Sequence, residues 1–266
     1  MEILFKDQAP LTPAIWEELV ETATRMMEAQ TTARKVMHCE EPRGARYTSV
    51  QTGGLNKLPA VKNYPGIKTS ANIVQPLIES RIEFELDLDE LLSIERGNKA
   101  ANLDNLEDAV KQMILFEENC VYNGYKEGNI PGLIPSMSTP KVATDGSSQS
   151  IIDAILKAAI IMKDMGVEGP YQLVAGPDFI TKTSQLVSNK PLAALIEEEL
   201  KTEIELSPAV KGALLFPFNS EDNNFVIGRD LSIAFQSMDK NKVRFFLLES
   251  FTFTNTNDKA AVQLNL

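Results

Sequence analysis

Between Phe225 and Phe253, in FVIGRDLSIAFQSMDKNKVRFFLLESFTF, apolar residues alternate with polar ones and the pattern is broken only at polar turns. A period of two puts successive side chains on opposite faces of an extended chain. The tract therefore predicts three antiparallel strands, Phe225 to Gly228, Ser232 to Gln236 and Val243 to Thr254, with Asp239 to Asn241 as a hairpin connection. No evident catalytic residue stands in it, which points toward a structural role.

Upstream, Thr12 followed by Pro13 marks a helix start. The hydroxyl is placed to cap a free backbone N–H, and proline's fixed φ suits the first helical position. Leu11 and Trp16 are spaced as a hydrophobic staple. Trp16, Leu19, Val20, Ala23, Met26, Met27, Ala33 and Met37 follow helical spacing, predicting one amphipathic helix that ends before Pro42. Its stripe either packs on its own subunit or also forms a groove for another chain. From Tyr47 to Gln75, Gly53, Gly54, Pro59, Pro65 and Gly66 interrupt scattered apolar residues, and no helical period survives. The expectation is a long extended hairpin or loop whose backbone and apolar groups find partners on a neighbouring subunit.

Leu103, Leu106, Val110, Met113, Ile114, Val121 and Tyr125 line a helix of roughly 22 residues, with Asp104 and Glu107 in its first turn and Gly128 beyond its end. A second apolar helix runs from about Gln149 to Met165, stops at Gly166 and leads into a strand, Tyr171 to Ala175. Pro177 opens a short helix and Pro191 a charged one, so a compact α+β lobe is expected from about Gly132 to Asn219. Thr144 to Ser150 reads as a loop.

With 266 residues the chain is long enough to bury a substantial core. Lys plus Arg number 26 against 37 Asp plus Glu, and the net charge of −11 disfavours unspecific binding to nucleic acid. The N-terminus carries Glu2 and no apolar core of signal-peptide length, and no apolar run approaches a membrane span, so the cytoplasm is the expected location. Cys39 and Cys120 have neither metal spacing nor the makings of a disulfide framework, and are expected as reduced structural thiols.

Candidate chemistry is sparse. His38, Cys39 and Glu40 spell the H-x-E of a zinc deaminase without its paired cysteines. One histidine leaves no assignable triad, and neither H-E-x-x-H nor a glycine-rich phosphate or dinucleotide motif is present. No catalytic residue, metal or cofactor is therefore expected; a flavin would have only Trp16 as a tryptophan to stack on. Glu83, Glu85, Asp87 and Asp89 alternate with apolar residues, so a strand would align four carboxylates, either as a Ca²⁺ or Mg²⁺ site or as a face that is solvated or paired with basic residues across a subunit contact. Glu197, Glu198, Glu199, Glu203 and Glu205 read as a solvated helix face.

The wording of the chain also resembles a known family. GRDLSIAF (Gly228 to Phe235) followed by VRFFLLESFTF (Val243 to Phe253) is similar to the C-terminal signature of encapsulins, bacterial and archaeal shell proteins related to tailed-phage capsid proteins. APLTPAIWEEL (Ala9 to Leu19), ARK (Ala33 to Lys35), PLIESRIEFELDLDEL (Pro76 to Leu91), IERG (Ile94 to Gly97) and EGPYQLV (Glu168 to Val174) match in the same order, spanning nearly the whole chain.

The resemblance implies an α+β fold of the tailed-bacteriophage major capsid protein type. Its parts would be an N-terminal helix and arm at 1–44, an extended loop at 45–80 that overlaps an adjacent subunit, a peripheral domain with a long spine helix at 81–131 and 220–266, and an axial domain at 132–219. It implies a self-assembling, homo-oligomeric subunit of a closed icosahedral compartment, without catalysis, nucleic acid or membrane. The cargo would be a ferritin-like protein or a dye-decolorising peroxidase, serving iron storage or oxidative-stress defence.

By the same resemblance, a C-terminal cargo peptide lies on the inner wall against Met27, Thr31, Arg34 and Val36 of the helix and Leu231 and Ile233 of the sheet, with Arg34 holding an acid or carbonyl. The loop Ser184, Gln185, Leu186, Val187, Ser188, Asn189, Lys190 and Pro191 falls where the family lines its five-fold pore, and Lys190 would favour anions locally. Two other functions are weighed against this one. A phage major capsid protein often begins with a long scaffolding segment, for which a first helix starting by Thr12 leaves no room. A hydrolase has no assignable triad or metal site.

Overall fold

The computed structural model describes residues 4–64 and 66–266, so Glu2 and Pro65 of the sequence argument lie outside the described residues. The order of elements is α1 (Pro13–Gln30), α2 (Ala33–Val36), β1 (His38–Cys39), β2 (Ser49–Lys57), β3 (Ser70–Pro76), β4 (Ile78–Asp87), α3 (Leu88–Glu95) and α4 (Asp104–Asn123). A second stretch brings α5 (Leu133–Ser136), β5 (Val142–Ala143), α6 (Ser148–Asp164), β6 (Tyr171–Ala175), α7 (Pro177–Thr183), β7 (Leu186–Val187), β8 (Lys190–Pro191), α8 (Leu192–Leu200), β9 (Glu205–Leu206) and β10 (Ala213–Pro217). The chain closes with β11 (Asn223–Ile227), β12 (Ser232–Asp239), β13 (Lys242–Asn255) and β14 (Val262–Asn265).

The alternating tract forms β11, β12 and β13, as its period requires. Strand β13 carries β4 along one edge, and β12 then β11 end to end along the other. Phe245 stands opposite both Phe84 and Phe235. One face of this sheet buries Phe84, Phe235, Phe245 and Leu247 against Ile15, Leu19 and Ala23 of α1 and Leu106, Val110 and Met113 of α4. Phe245 stacks on Phe84 with centroids 5.4 Å apart and receives Trp16 edge-on at 5.8 Å. Each such fully buried side chain stabilises the fold by about 1.5–3 kcal/mol, so the alternation fixes which face is inward.

The acidic row does not continue as one strand. β4 ends at Asp87, whose Oδ1 accepts the Asp89 backbone N–H at 2.9 Å and caps α3, turning Asp89 out of the row. Glu83 meets Arg81 at 3.0 Å, Glu85 meets Arg244 at 2.5 Å, and Asp87 meets Lys242 at 3.5 Å. Basic partners thus come from the same chain.

The first helix is interrupted. The spacing predicts one helix through Met37, but α1 ends at Gln30 and α2 starts afresh at Ala33. Thr31 turns to an extended backbone with its hydroxyl donating to the Met27 carbonyl at 2.7 Å, and the carboxylate of Glu118 on α4 accepts the backbone N–H groups of Thr32 and Ala33, each at 2.8 Å. That carboxylate supplies an N-terminal cap from a distant helix. At the start of α1, Thr12 occupies the capping position and Pro13 follows, yet the Thr12 hydroxyl donates to Glu95 and not to its own helix. Helix α4 stops at Gly124, four residues before Gly128, which leaves Tyr125 outside it.

The second sheet has the order β5–β14–β10–β6–β9. Ile151, Ile155, Ala158 and Met162 of α6 share a buried cluster with Leu173, Leu215 and Val262 of its strands. Ser147 caps α6 through the Ser150 N–H, so the expected loop from Thr144 is closed three residues early. Strand β14, in the segment 220–266 expected as part of the peripheral domain, crosses to this second sheet and pairs with β10 and β5. The acidic cluster is likewise divided, with Glu197 to Glu199 on α8 and Glu205 on β9. Pro191 stands just before α8, at its capping position. Strands β2 and β3 form the expected hairpin, a two-stranded ribbon of its own with Leu55, Ile73 and Val74 exposed.

Candidate functional site

A groove of about 520 Å³ runs between α1 and the start of β12. Val20, Ala23, Met27 and Thr31 line its helical side, Leu231, Ser232 and Ile233 its strand side, and Arg34 and Asp230 close it where α2 meets the β11–β12 connection. Five of the six residues assigned to cargo binding converge here: Met27, Thr31, Arg34, Leu231 and Ile233. Val36 does not. Ala33 and Val36, three apart, share the inward face of the restarted helix, and Val36 lies 2 % exposed in the cluster of Phe216, Phe225 and Phe253. Ile233 and Met27 are wall and core at once, whereas Val20 is 39 % exposed. Leu4 reaches the groove too, its carbonyl accepting the Phe235 N–H at 3.0 Å.

Arg34 was assigned a cargo acid or carbonyl; its donors are instead directed at acids of its own chain. Nε donates to Glu117 Oε1 at 2.9 Å, Nη2 to Glu117 Oε2 at 2.7 Å and Nη1 to Asp230 Oδ1 at 2.7 Å. Glu249 Oε2 lies 3.5 Å from Nη2, and its Oε1 accepts the Ser80 hydroxyl at 3.1 Å. Burial works against the guanidinium's charge, but Glu117 and then Asp230 outweigh it and hold the proton more firmly than in an ordinary arginine. Burial raises the Glu117 carboxyl, opposed by its forked contact with Arg34. Burial and the nearby Glu117 charge carry Glu249 well above the usual carboxylate range.

Beside this junction lies a third buried acid. Glu118, besides capping α2, accepts the Thr32 and Ser207 hydroxyls, the latter at 2.7 Å, and so ties α4 to the turn after β9. Glu117, Glu118 and Glu249 were absent from the sequence argument. Their signal was present: Glu117 and Glu118 fall at helical spacing from Met113, Ile114 and Val121, and Glu249 alternates with Leu247 and Phe251 on the inward face of β13.

The segment Ser184 to Pro191 is a tight hairpin rather than an irregular loop. β7 and β8 pair around Ser188 and Asn189, whose φ angles of 50° and 68° match the two left-handed positions of a type I′ turn. Leu186 is 71 % exposed, while Gln185 turns inward to the Gly146 carbonyl and the Ser148 hydroxyl. Lys190 lies 3.3 Å from Glu198, an exposed pair that offsets part of its charge.

The weak enzyme candidates gain nothing from folding. His38 Nδ1 faces Asn219 Oδ1 at 3.3 Å, and burial pushes the Cys39 thiol up to about 11 and the Cys120 thiol to about 12. Among the described residues no three His, Cys, Asp or Glu gather to hold a metal, and no helix is long and apolar enough to cross a membrane.

Comparison with known proteins gives concordant results. The sequence model of the family described as "Encapsulating protein for peroxidase" matches residues 1–252. The type 1 encapsulin shell protein of Rhodococcus erythropolis is 30% identical over 99% of this chain and 100% of its own length. Among solved structures, a virus-like particle from Pyrococcus furiosus aligns with a TM-score of 0.68 at 14% identity, covering 93% of this chain and 98% of that one. The capsid of Myoviridae phage XM1 aligns at 0.59 and 13% identity, covering 88% and 90%. These two likenesses establish the fold, that of the tailed-phage capsid proteins.

Proposed function

The chain belongs to the family of encapsulating proteins that includes the type 1 encapsulin shell proteins, and we propose that it assembles with copies of itself into a closed icosahedral compartment around a cargo enzyme. The family description supports a peroxidase as that cargo. A ferritin-like cargo, and with it iron storage, is the alternative within the same reading. The subunit works by enclosure and needs no catalytic group of its own.

Two features support the assembly. The β2–β3 ribbon exposes Leu55, Leu58, Tyr64, Ile67, Ile73 and Val74, apolar surface that a neighbouring copy would cover. The β7–β8 hairpin is a short exposed turn suited to line an opening at a symmetry axis, where its polar tip would pass small solutes. The net charge of −11 speaks against a packaged nucleic acid, and the cytoplasm is the proposed location.

The observation that carries the cargo assignment is the meeting of Met27 and Thr31 with Leu231 and Ile233, brought from opposite ends of the chain into one apolar groove. An extended peptide would anchor alternate side chains there. The test is coexpression with a dye-decolorising peroxidase bearing its C-terminal peptide, followed by imaging and the ratio of cargo to shell. Hollow particles whose loading falls in Val20→Asp and Leu231→Asp are expected. Unchanged loading in both variants removes the groove from the function, and a stable monomer removes the compartment.

A further inference from the structure

The Arg34 junction holds more acid than one guanidinium can neutralise. Glu117 and Glu249 are both fully buried, and among the described residues Arg34 is the cation that contacts either of them. Arg34 forks onto Glu117 at hydrogen-bonding distance, whereas Glu249 sits farther off at 3.5 Å with a hydroxyl, Ser80, on its other oxygen. Two carboxylates so placed do not both ionise around one cation in a water-poor interior; the less well paired one keeps its proton.

Groups facing Glu249 come from each element packed on it: Arg34 on α2, Glu117 and the protonated thiol of Cys120 on α4, Ser80 on β4, and Asp230 on the β11–β12 connection. Arg81, next to Ser80, turns to the opposite face of the sheet, over the Phe246 ring and toward Glu83. Ser80, the hydroxyl on Glu249, also lines a second groove, of about 650 Å³, between β4 and α4. On the other side, Arg34 ends at Asp230, the residue before Leu231 of the cargo groove.

We propose that Glu249, Arg34 and Asp230 form a proton-operated clamp on that groove: while Glu249 is protonated, Arg34 serves Glu117 and Asp230, and when Glu249 gives its proton to water, Arg34 turns to it and releases Asp230 and, with it, the wall at Leu231 just ahead of β12. The clamp is closed while Glu249 holds its proton and opens as rising pH removes it. It goes beyond the cargo assignment, because it concerns the wall and not its occupant.

Hydrogen–deuterium exchange of the segment 229–233 in assembled, cargo-free protein tests it, from about pH 6.5 to about pH 9.5 with intrinsic exchange divided out. Wild-type protection should fall about tenfold per pH unit once Glu249 begins to ionise, Glu249→Gln should stay protected throughout, and Asp230→Asn should exchange fast at every pH. Equal pH slopes for wild type and Glu249→Gln overturn the clamp. Failure of Glu249→Gln to fold overturns it too, since a neutral isostere is what the closed state holds. No cargo enters the experiment, so failure of the cargo assignment would show separately, as unchanged loading.

Discussion

Arg34 and Glu117 meet as a forked ion pair, Nε to Oε1 at 2.9 Å and Nη2 to Oε2 at 2.7 Å, with the carboxylate wholly enclosed. The pair joins the short helix after the break to the long helix, and everything that Arg34 does at the groove depends on it. Such a pair adds little net stability over apolar residues of similar shape, but half of it is costly to leave behind.

Replacing Arg34 by Met should therefore destabilise the subunit by about 3–5 kcal/mol, because Glu117 stays buried without its cation. Arg34→Met with Glu117→Leu should recover most of that loss. Denaturant midpoints of the three proteins check this; a double variant no better than the single one would show that Glu117 is not what Arg34 supports.

Gly132 has a φ of 69°, and a Cβ there would lie 2.2 Å from the Gly124 backbone nitrogen. Gly166 has a φ of 79°, yet a Cβ on it would meet nothing within 4 Å. Gly166→Ala should then cost only the backbone strain, about 1–2 kcal/mol, whereas Gly132→Ala should lose soluble, folded protein. Yield and melting temperature of the two variants read the difference.

Burial holds the Cys39 and Cys120 thiols at about 11 and 12, so both are protonated at neutral pH and neither is a reactive thiolate. Native protein should resist alkylation and react at both positions in denaturant, which thiol counting measures. Because the folded state keeps these protons after the unfolded chain has released them, the two cysteines' contribution to stability is full below the ordinary thiol range and is lost as pH rises through about 11 for Cys39 and about 12 for Cys120.

Deletion of Gly54 to Ile67 should prevent closed particles, since it removes the outer end of β2 and the connection to β3, with the exposed Leu55, Leu58, Tyr64 and Ile67. Leu55→Asp with Ile73→Asp separates assembly from folding: both side chains are exposed on the single subunit, so the variant should fold yet scatter light as a small species. Normal particles from either protein would exclude the ribbon from the contacts between copies.

The strands of the first sheet were legible because alternation is a local signal with a fixed geometric meaning, and the strand Tyr171–Ala175 was bounded by the glycine and proline around it. The break at Thr31 was not, because its cause is Glu118, a carboxylate remote in sequence that captures the free N–H groups of the next helix. The same distance hid the junction: Arg34 pointed to a ligand as long as its own acids, on α4 and β13, could not be seen to arrive. Val36 was placed in the groove by the family resemblance, and the restart of the helix at Ala33 turns it into the core.

Strand β14 lies between β5 and β10, although every other strand of its sheet precedes the alternating tract. During synthesis that sheet must wait, with its edges at β5 and β10 unsatisfied, until the tract has been made and has left the ribosome. A nascent subunit thus carries an open sheet edge from the making of β10 to that of β14, and the closing of that edge ties the completion of one lobe to the other.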